Sequence, residues 1–416
     1  MTKVLAVASE VFPFIKTGGL ADVVGALPAA LAGQGVVMRV MVPGYPAVMA
    51  ALGEGQTLHH YIELFGGPAT LVGGRAAGLD LIVLDAPHLF ERPGNPYLSA
   101  EGADWPDNWK RFAALSLAAG DIGRGAVPSF VPAVVHAHDW QAALSAAYLH
   151  FVEGMKARTL LTIHNLAFQG RFPATVFGGL QLPDEAFAVD GVEYYGGVGY
   201  LKGGLQFADA ITTVSPTYAE EICTPAAGMG LDGLLRARHG VLTGIVNGID
   251  TATWNPAADL DLPATYTSAR LGARTVNKRA VEKAFTLDAD SGPLLCVISR
   301  LTWQKGMDLL GACIDGLVAS GARLAVLGTG DAAIEGMFRA AAARHAGRVG
   351  VITAYDEPLA HLLQGGADAI LVPSRFEPCG LTQFCGLRYG CVPVVARVGG
   401  LADTIIDAND AALAAG

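Results

Sequence analysis

The sequence predicts an α/β protein built from two open, mostly parallel sheets. Three observations carry that prediction: a length of 416 residues, a composition 52% hydrophobic and 16% charged, and short apolar runs alternating with Ala-rich amphipathic stretches. A single core stops growing at roughly 250–300 residues, so this length asks for two domains. The composition suits sheets buried on both faces and is the reverse of a disordered chain's. Strand–helix alternation is the pattern of βαβ units and so of a parallel sheet.

In chain order, the β-branched runs predict strands at Val4–Ala8, Val37–Val42, Leu79–Leu84, Ala133–His136, Thr159–Ile163 and Ala210–Val214. A second series follows at Leu294–Ile298, Leu324–Leu327, Val349–Thr353, Ala369–Val372 and Pro393–Ala396. Between Val241 and about Pro263 the series pauses in a polar, Asp-rich stretch with Asn-Gly and Asn-Pro turn signals. The domain junction is expected there, giving residues 1–245 and 246–416. No solenoid repeat or low-complexity tail interrupts either half.

The net charge of −10 and the lack of any Lys/Arg cluster exclude a general nucleic-acid binder. An anionic substrate would have to be held by a few placed cations. Gly, Pro or a charge breaks every apolar run before it could span a bilayer, so no membrane partner is expected. The chain enters a strand at Val4 with no cleavage-like segment, which predicts a cytoplasmic protein. The six cysteines form no C-x-x-C pair and read as buried free thiols.

Open α/β sheets bind ligands beyond the carboxyl ends of their strands. The unusual polar residues fall there. Asp139 follows the strand ending at His136; His164 and Asn165 follow Ile163; Arg300 follows Ile298; Tyr355 follows Thr353; Glu377 follows Val372. This is the pattern of two domains facing across a cleft.

Three segments carry chemistry. In Lys16-Thr-Gly-Gly-Leu20 two glycines precede a helix, where a cation is locally unfavourable unless an anion lies between it and the helix end; an ordinary glycine turn fits these residues as well. Arg300 and Lys305 stand between a strand end and a helix starting near Gly306, a placement that suits a diphosphate. The alternative is a solvated loop with a salt bridge. Glu377 lies on a constrained turn before a helix starting near Leu381, able to accept sugar hydroxyls or merely to cap the helix. Asp139-Trp140 reads as a sugar platform, carboxylate for hydroxyls and indole for a ring face. Asp259-Leu-Asp261 matches a D-x-D metal pattern but, lying away from any strand end, reads as a solvated turn.

Together the segments resemble the bacterial glycogen synthases and plastid starch synthases. The matching pieces are Lys16 to Val23, His136-Ala-His-Asp-Trp140, Thr162-Ile-His-Asn165, Val246 to Asp250, Ser299 to Gly306, Pro373 to Gln383 and Gly399 to Thr404. The resemblance implies a glycosyltransferase-B fold of two Rossmann-like domains, the first acceptor-side and the second nucleotide-sugar-binding. It implies retaining transfer of glucose from ADP-glucose to the non-reducing end of an α-1,4-glucan, with no metal and no cofactor. By motif, Arg300 and Lys305 would neutralise the diphosphate. Glu377, helped by Cys379, Gly380, Leu381 and Thr382, would hold glucose. His164 would support positive charge through its carbonyl. Lys16, Gly18 and Gly19 would approach the donor; Asp139, Asn165 and Asn247 would line the sugar site; Tyr355 would stack on adenine; Asp22 and Tyr97 would position donor or acceptor. The chain stops at Gly416, whereas family members continue with a helix-rich segment. Alternatives are a transferase using UDP-glucose or a small sugar acceptor, and a glucan- or nucleotide-binding protein without activity.

Overall fold

The computed structural model describes residues 1–99, 102–154 and 156–414. The chain folds as two compact units, Met1–Val214 with Ala219–Ile245, and Val246–Gly416 with Ser215–Tyr218. Gly416, the end of the expected second domain, lies outside the described residues.

In the first unit the strands are β1 (Thr2–Val7), β2 (Val36–Pro43), β3 (Gln56–Tyr61), β4 (Ala69–Ala76), β5 (Leu79–Asp85), β6 (Val134–His138) and β7 (Arg158–Ile163). There follow β8 (Arg171–Pro173), β9 (Glu193–Tyr194), β10 (Gly197–Gly199), β11 (Ala210–Thr213) and β12 (Leu242–Gly244). Nine of them form one sheet in the order β12-β11-β7-β6-β1-β2-β5-β4-β3, and β8, β10 and β9 form a small antiparallel sheet. From β12 to β5 all pairs are parallel; β4 and β3 add an antiparallel edge. Leu5, Ala6 and Val7 of the central strand are wholly buried, as a strand covered on both faces requires.

The second unit has β13 (Leu294–Ile298), β14 (Arg323–Leu327), β15 (Val349–Ile352), β16 (Ala369–Val372) and β17 (Val392–Val395), all parallel in the order β15-β14-β13-β16-β17. Two apolar clusters belong to this sheet, one including Cys296, Leu327 and Ile370, the other Val297, Val326 and Phe338. Side chains of β13 and β14 thus alternate between clusters, as the two-residue period of a strand demands.

Each of the eleven expected strands has an observed counterpart, with ends shifted by two residues at most. The chain's first strand in each unit has neighbours reached by crossovers in opposite directions, β6 and β2 around β1, and β16 and β14 around β13. Such switch points leave a crevice beyond the strand ends where ligands of open sheets bind. The segments after β1 and β6, and those after β13 and β16, therefore meet for topological reasons. Among the described residues, no helix is long and apolar enough to cross a membrane.

Candidate active site

In the first unit, the loop after β1 is anchored by a residue the sequence reading passed over. Glu10 is 3% exposed and accepts from the Thr17 amide, the Thr17 hydroxyl at 2.7 Å and the Tyr97 hydroxyl. Burial and the Glu10 charge push the Tyr97 phenol well above its ordinary range. Tyr97 therefore stays protonated and donates to Glu10, and Ser9 Oγ, 2.7 Å away, donates to Tyr97. This network sets the path of the chain into Lys16, Gly18 and Gly19. Gly18 is extended, with open space where a side chain would be, and Gly19 begins the helix Gly19–Ala32. Lys16 Nζ lies 2.9 Å from Asp22 Oδ1 in that helix's first turn. The anion expected between cation and helix end is thus provided by the chain itself.

β6 runs into the helix Asp139–His150 with no intervening loop. The reversal is made by Asp139 at φ +55°, the left-handed region that Asp tolerates better than most residues. Its buried Oδ1 accepts from the His164 amide at 2.6 Å and the Asn165 amide at 3.4 Å. Asn165 Oδ1 in turn accepts from Ala167 N at 3.0 Å. The Asp139 carboxylate therefore shapes the turn after β7. His164 is 9% exposed, and its Nε2 lies 2.9 Å from His138 Nδ1.

Burial pushes the Asp139 carboxyl up to about 7, with the two amide hydrogen bonds opposing the shift. The unfolded value is about 3.9, so the folded state holds a proton that the unfolded chain releases between the two values. Stability from this group is full below about pH 4 and is lost as the pH rises toward 7. The Asp139→Asn variant keeps an accepting oxygen, suits the left-handed backbone and does not titrate. Its Tm relative to the parent is expected to rise between about pH 5 and pH 8. A difference that stays constant with pH would show that Asp139 does not bury a titrating carboxyl.

In the second unit, Lys305 Nζ bonds both oxygens of Glu377, at 2.8 and 2.6 Å, and Ser374 Oγ donates to Oε2 at 2.9 Å. The Lys305 and Glu377 side chains are 18% and 7% exposed. The loops bearing them are locked together. Arg375 grips Asp308 with two bonds of 2.6 and 2.7 Å, donates to the Trp303 carbonyl at 2.7 Å, and its amide bonds the Gln304 carbonyl at 2.9 Å. Gly306, at φ +68°, passes so close that a Cβ would stand 2.0 Å from the Pro373 oxygen. Only glycine meets both conditions.

The Glu377 turn is closed from below by Gly400, whose amide bonds the Glu377 carbonyl at 3.1 Å and whose Cβ would lie 2.4 Å from Cys379 Cα. Gln383 Nε2 donates to the carbonyls of Cys379 and Gly380 at 3.1 and 3.0 Å. Leu381 caps, and Thr382 opens, the helix Thr382–Tyr389. Burial pushes the Cys379 thiol up to about 11, although the Asn247 main chain hydrogen-bonds it. Cys379 is thus a packed thiol that holds Asn247 beside the turn. Arg300 is exposed and, among the described residues, its side chain makes no ion pair or hydrogen bond. The salt-bridged alternative for this loop therefore fits Lys305 and not Arg300. Tyr355 is 74% exposed after β15, its hydroxyl donating to Glu357 at 2.7 Å.

Three expectations need correction. Trp140 is 9% exposed and packs on Phe112, Phe172 and Tyr200, so its indole is part of the core and not a sugar platform. Asp259 is buried, not in a solvated turn. Its carboxylate accepts from Asp261 N at 2.9 Å and Tyr389 OH at 2.5 Å and lies 2.8 Å from His361 Nδ1, while Trp254 stacks on the His361 ring at 3.8 Å. Asp259, Asp261 and His361 bring ligand atoms within 4.8 Å of one another, but the Asp259 oxygens are already spent on these bonds. Finally, Cys313 is exposed; the other five cysteines are buried thiols outside any disulfide, as expected.

Two Rossmann-like units that carry polar side chains at their switch points, with a lysine–glutamate pair and an exposed arginine in the second, are the build of a glycosyltransferase of the B type. Residues 3–237 match the family model of the starch synthase catalytic domain, and residues 292–416 match that of group 1 glycosyl transferases. The chain belongs to the glycogen and starch synthase family. It is 63% identical to a glycogen synthase of Mesorhizobium japonicum over all of this chain and 86% of that protein. It is 60% identical to one from Rhodopseudomonas palustris strain BisA53, over all of this chain and 85% of that protein. The catalytic domain of starch synthase IV from Arabidopsis thaliana, solved bound to ADP and acarbose, superimposes with a TM-score of 0.88 at 31% identity. That match covers 98% of this chain and 85% of that one. A sucrose-phosphate synthase from Thermosynechococcus elongatus, at 16% identity and a TM-score of 0.57, shares the fold.

Proposed function

We propose that this glycosyltransferase moves glucose from ADP-glucose to the non-reducing end of an α-1,4-glucan such as glycogen, with retention and without metal or cofactor, in the cytoplasm. The observation that carries the reading is the Lys305–Glu377 pair with the exposed Arg300 beyond the ends of β13 and β16. ADP and acarbose in the Arabidopsis relative support an adenine nucleotide donor and a glucan acceptor.

In this reading the C1–O bond to the diphosphate breaks as a bond forms from the acceptor hydroxyl to C1. The acceptor's proton passes to the departing phosphate. Arg300 and Lys305 stabilise the charge left on ADP, the task a metal ion performs in other transferases. Glu377 takes glucose hydroxyls and holds Lys305. Gly380, Leu381 and Thr382 contribute helix-end amides, and Asn247 and Cys379 support the turn. Tyr355 stacks on adenine. In the first unit, taken as the acceptor side, Lys16, Gly18, Gly19 and Asp22 meet sugar or phosphate oxygens and Tyr97 positions the acceptor. The His164 carbonyl faces the charge at C1, with Asp139 and Asn165 holding its turn. Retention by a covalent intermediate would need a free carboxylate near His164, and Asp139 commits its Oδ1 to two amides.

The test is an initial-rate assay with labelled ADP-glucose or UDP-glucose, on glycogen or a small sugar, with and without EDTA. Faster transfer from ADP-glucose to glycogen, unaffected by EDTA, is expected. Preference for UDP-glucose and a small acceptor, or glucan binding with no transfer, would replace the reading.

A further inference from the structure

β6 and β7 are parallel neighbours, with His138 opposite Thr162, two residues before His164. His138 is wholly buried at the end of β6. Its Nδ1 lies 2.9 Å from His164 Nε2, and its Nε2 is buried with no hydrogen-bond partner among the described residues. The His136 ring lies against it, centroids 4.1 Å apart, and is itself held by Thr162 Oγ1 at 2.6 Å. Thr162 Oγ1 is in turn 2.6 Å from Thr212 Oγ1. The ring of His138 is thus fixed by packing from one side and presents a single bonded nitrogen to His164.

We propose that His138 is a positioning residue that fixes the tautomer and ring plane of His164, making it an Nδ1–H imidazole. The inference rests on the reading that His164 lies at the reacting sugar. Burial lowers the basicity of all three rings, His136 to about 4, His164 to about 3 and His138 well below its ordinary value, so none is charged near neutrality.

Two neutral imidazoles joined by one hydrogen bond share one proton, which leaves two arrangements. If His164 donated, His138 would carry its own hydrogen on Nε2, a buried N–H with nothing to accept it. If His138 donates from Nδ1, its Nε2 is a bare lone pair. Orphaned buried N–H groups are rarer in folded proteins than under-used acceptors. The second arrangement therefore holds, and it requires His164 to carry its hydrogen on Nδ1. His164 is then clamped twice: its amide by Asp139 and its ring by His138.

The test compares the parent with His138→Leu, which keeps an apolar filling, and His138→Asn, whose amide nitrogen can stand near the Nδ1 position. Two-bond 1H–15N spectra of 15N-histidine-labelled protein read the His164 tautomer. Nδ1–H is expected in the parent and in His138→Asn, with Nε2–H appearing in His138→Leu. In the same variants kcat is expected to fall about 10–100-fold in His138→Leu with the donor KM within about twofold, and to recover largely in His138→Asn. An Nε2–H parent, an unchanged tautomer in His138→Leu, or equal kcat in all three overturns the proposal. The parental spectrum decides even if His138→Leu does not fold. If the parent transfers no glucose, the reading of function fails while the tautomer is still determined.

Discussion

Glu377→Ala is expected to lower kcat on the order of 10²–10³-fold, the range seen when one preorganised electrostatic contact is removed from an active site. The loss has two sources. Contacts to sugar hydroxyls disappear, and Lys305 loses the two bonds that hold its ammonium. At 18% exposure that ammonium is largely desolvated, so removing its partner is also expected to destabilise the second unit, by up to about 3–5 kcal/mol. Glu377→Gln separates the effects, since it keeps the shape and the bond from Ser374 but not the charge. Lys305→Ala is expected to cost a similar factor. Because the two groups act as a unit, the double variant should lose far less than the product of the single losses. Saturating-donor rates report kcat, and thermal melts report the destabilisation. Near-parental turnover in Glu377→Ala would remove the residue from the chemistry.

Arg300→Ala is expected to be as damaging to activity and almost silent for stability. The side chain is exposed and, among the described residues, unpaired, so the folded chain loses nothing with it. A charge-assisted bond to a diphosphate is worth about 1.5–3 kcal/mol, which corresponds to roughly 10–150-fold in ADP affinity. A further loss in kcat, to on the order of 10²-fold, should follow from charge that develops only as the bond to ADP breaks. Arg300→Lys should recover only part, because an ammonium cannot reproduce the planar fork. Calorimetric ADP titration and Tm check the two halves. Unchanged ADP binding would overturn the role of Arg300.

The contrast between these variants follows from the fold. Lys305 and Arg300 belong to one loop after β13. Lys305 is turned against Glu377 by the close crossing of Gly306 on Pro373 and by the Arg375–Asp308 clamp. Arg300 is exposed and, among the described residues, makes no ion pair or side-chain hydrogen bond. Removing the first disturbs the architecture; removing the second disturbs only a ligand.

Much of this was legible along the chain. Strand runs are local, and each expected strand formed. What the pattern missed sits toward the edges of the large sheet, at β3, β4 and β12, and in the small antiparallel sheet. β3 and β4 are half-buried and hold histidines and glycines, and the turn from β4 to β5 uses Ala77 and Gly78 at φ +46° and +80°, without an Asn-Gly signal. Charged residues after strand ends were legible too, because open sheets bring those ends together.

Partnerships across sequence were not legible. Glu10 reaches Tyr97, 87 residues away, and Asp139 reaches the His164 amide, 25 residues away. Trp140 looked like a platform until Phe112, Phe172 and Tyr200 covered it, and Asp259 looked solvated until His361 and Tyr389 closed on it. The chain's pattern specifies which segments become strands and which residue types stand at their ends, because those depend on spacing along the backbone. Whether a carboxylate faces a ligand or an amide, and whether a ring is surface or core, depends on which distant segment packs against it. That is settled by sheet order and the burial it imposes.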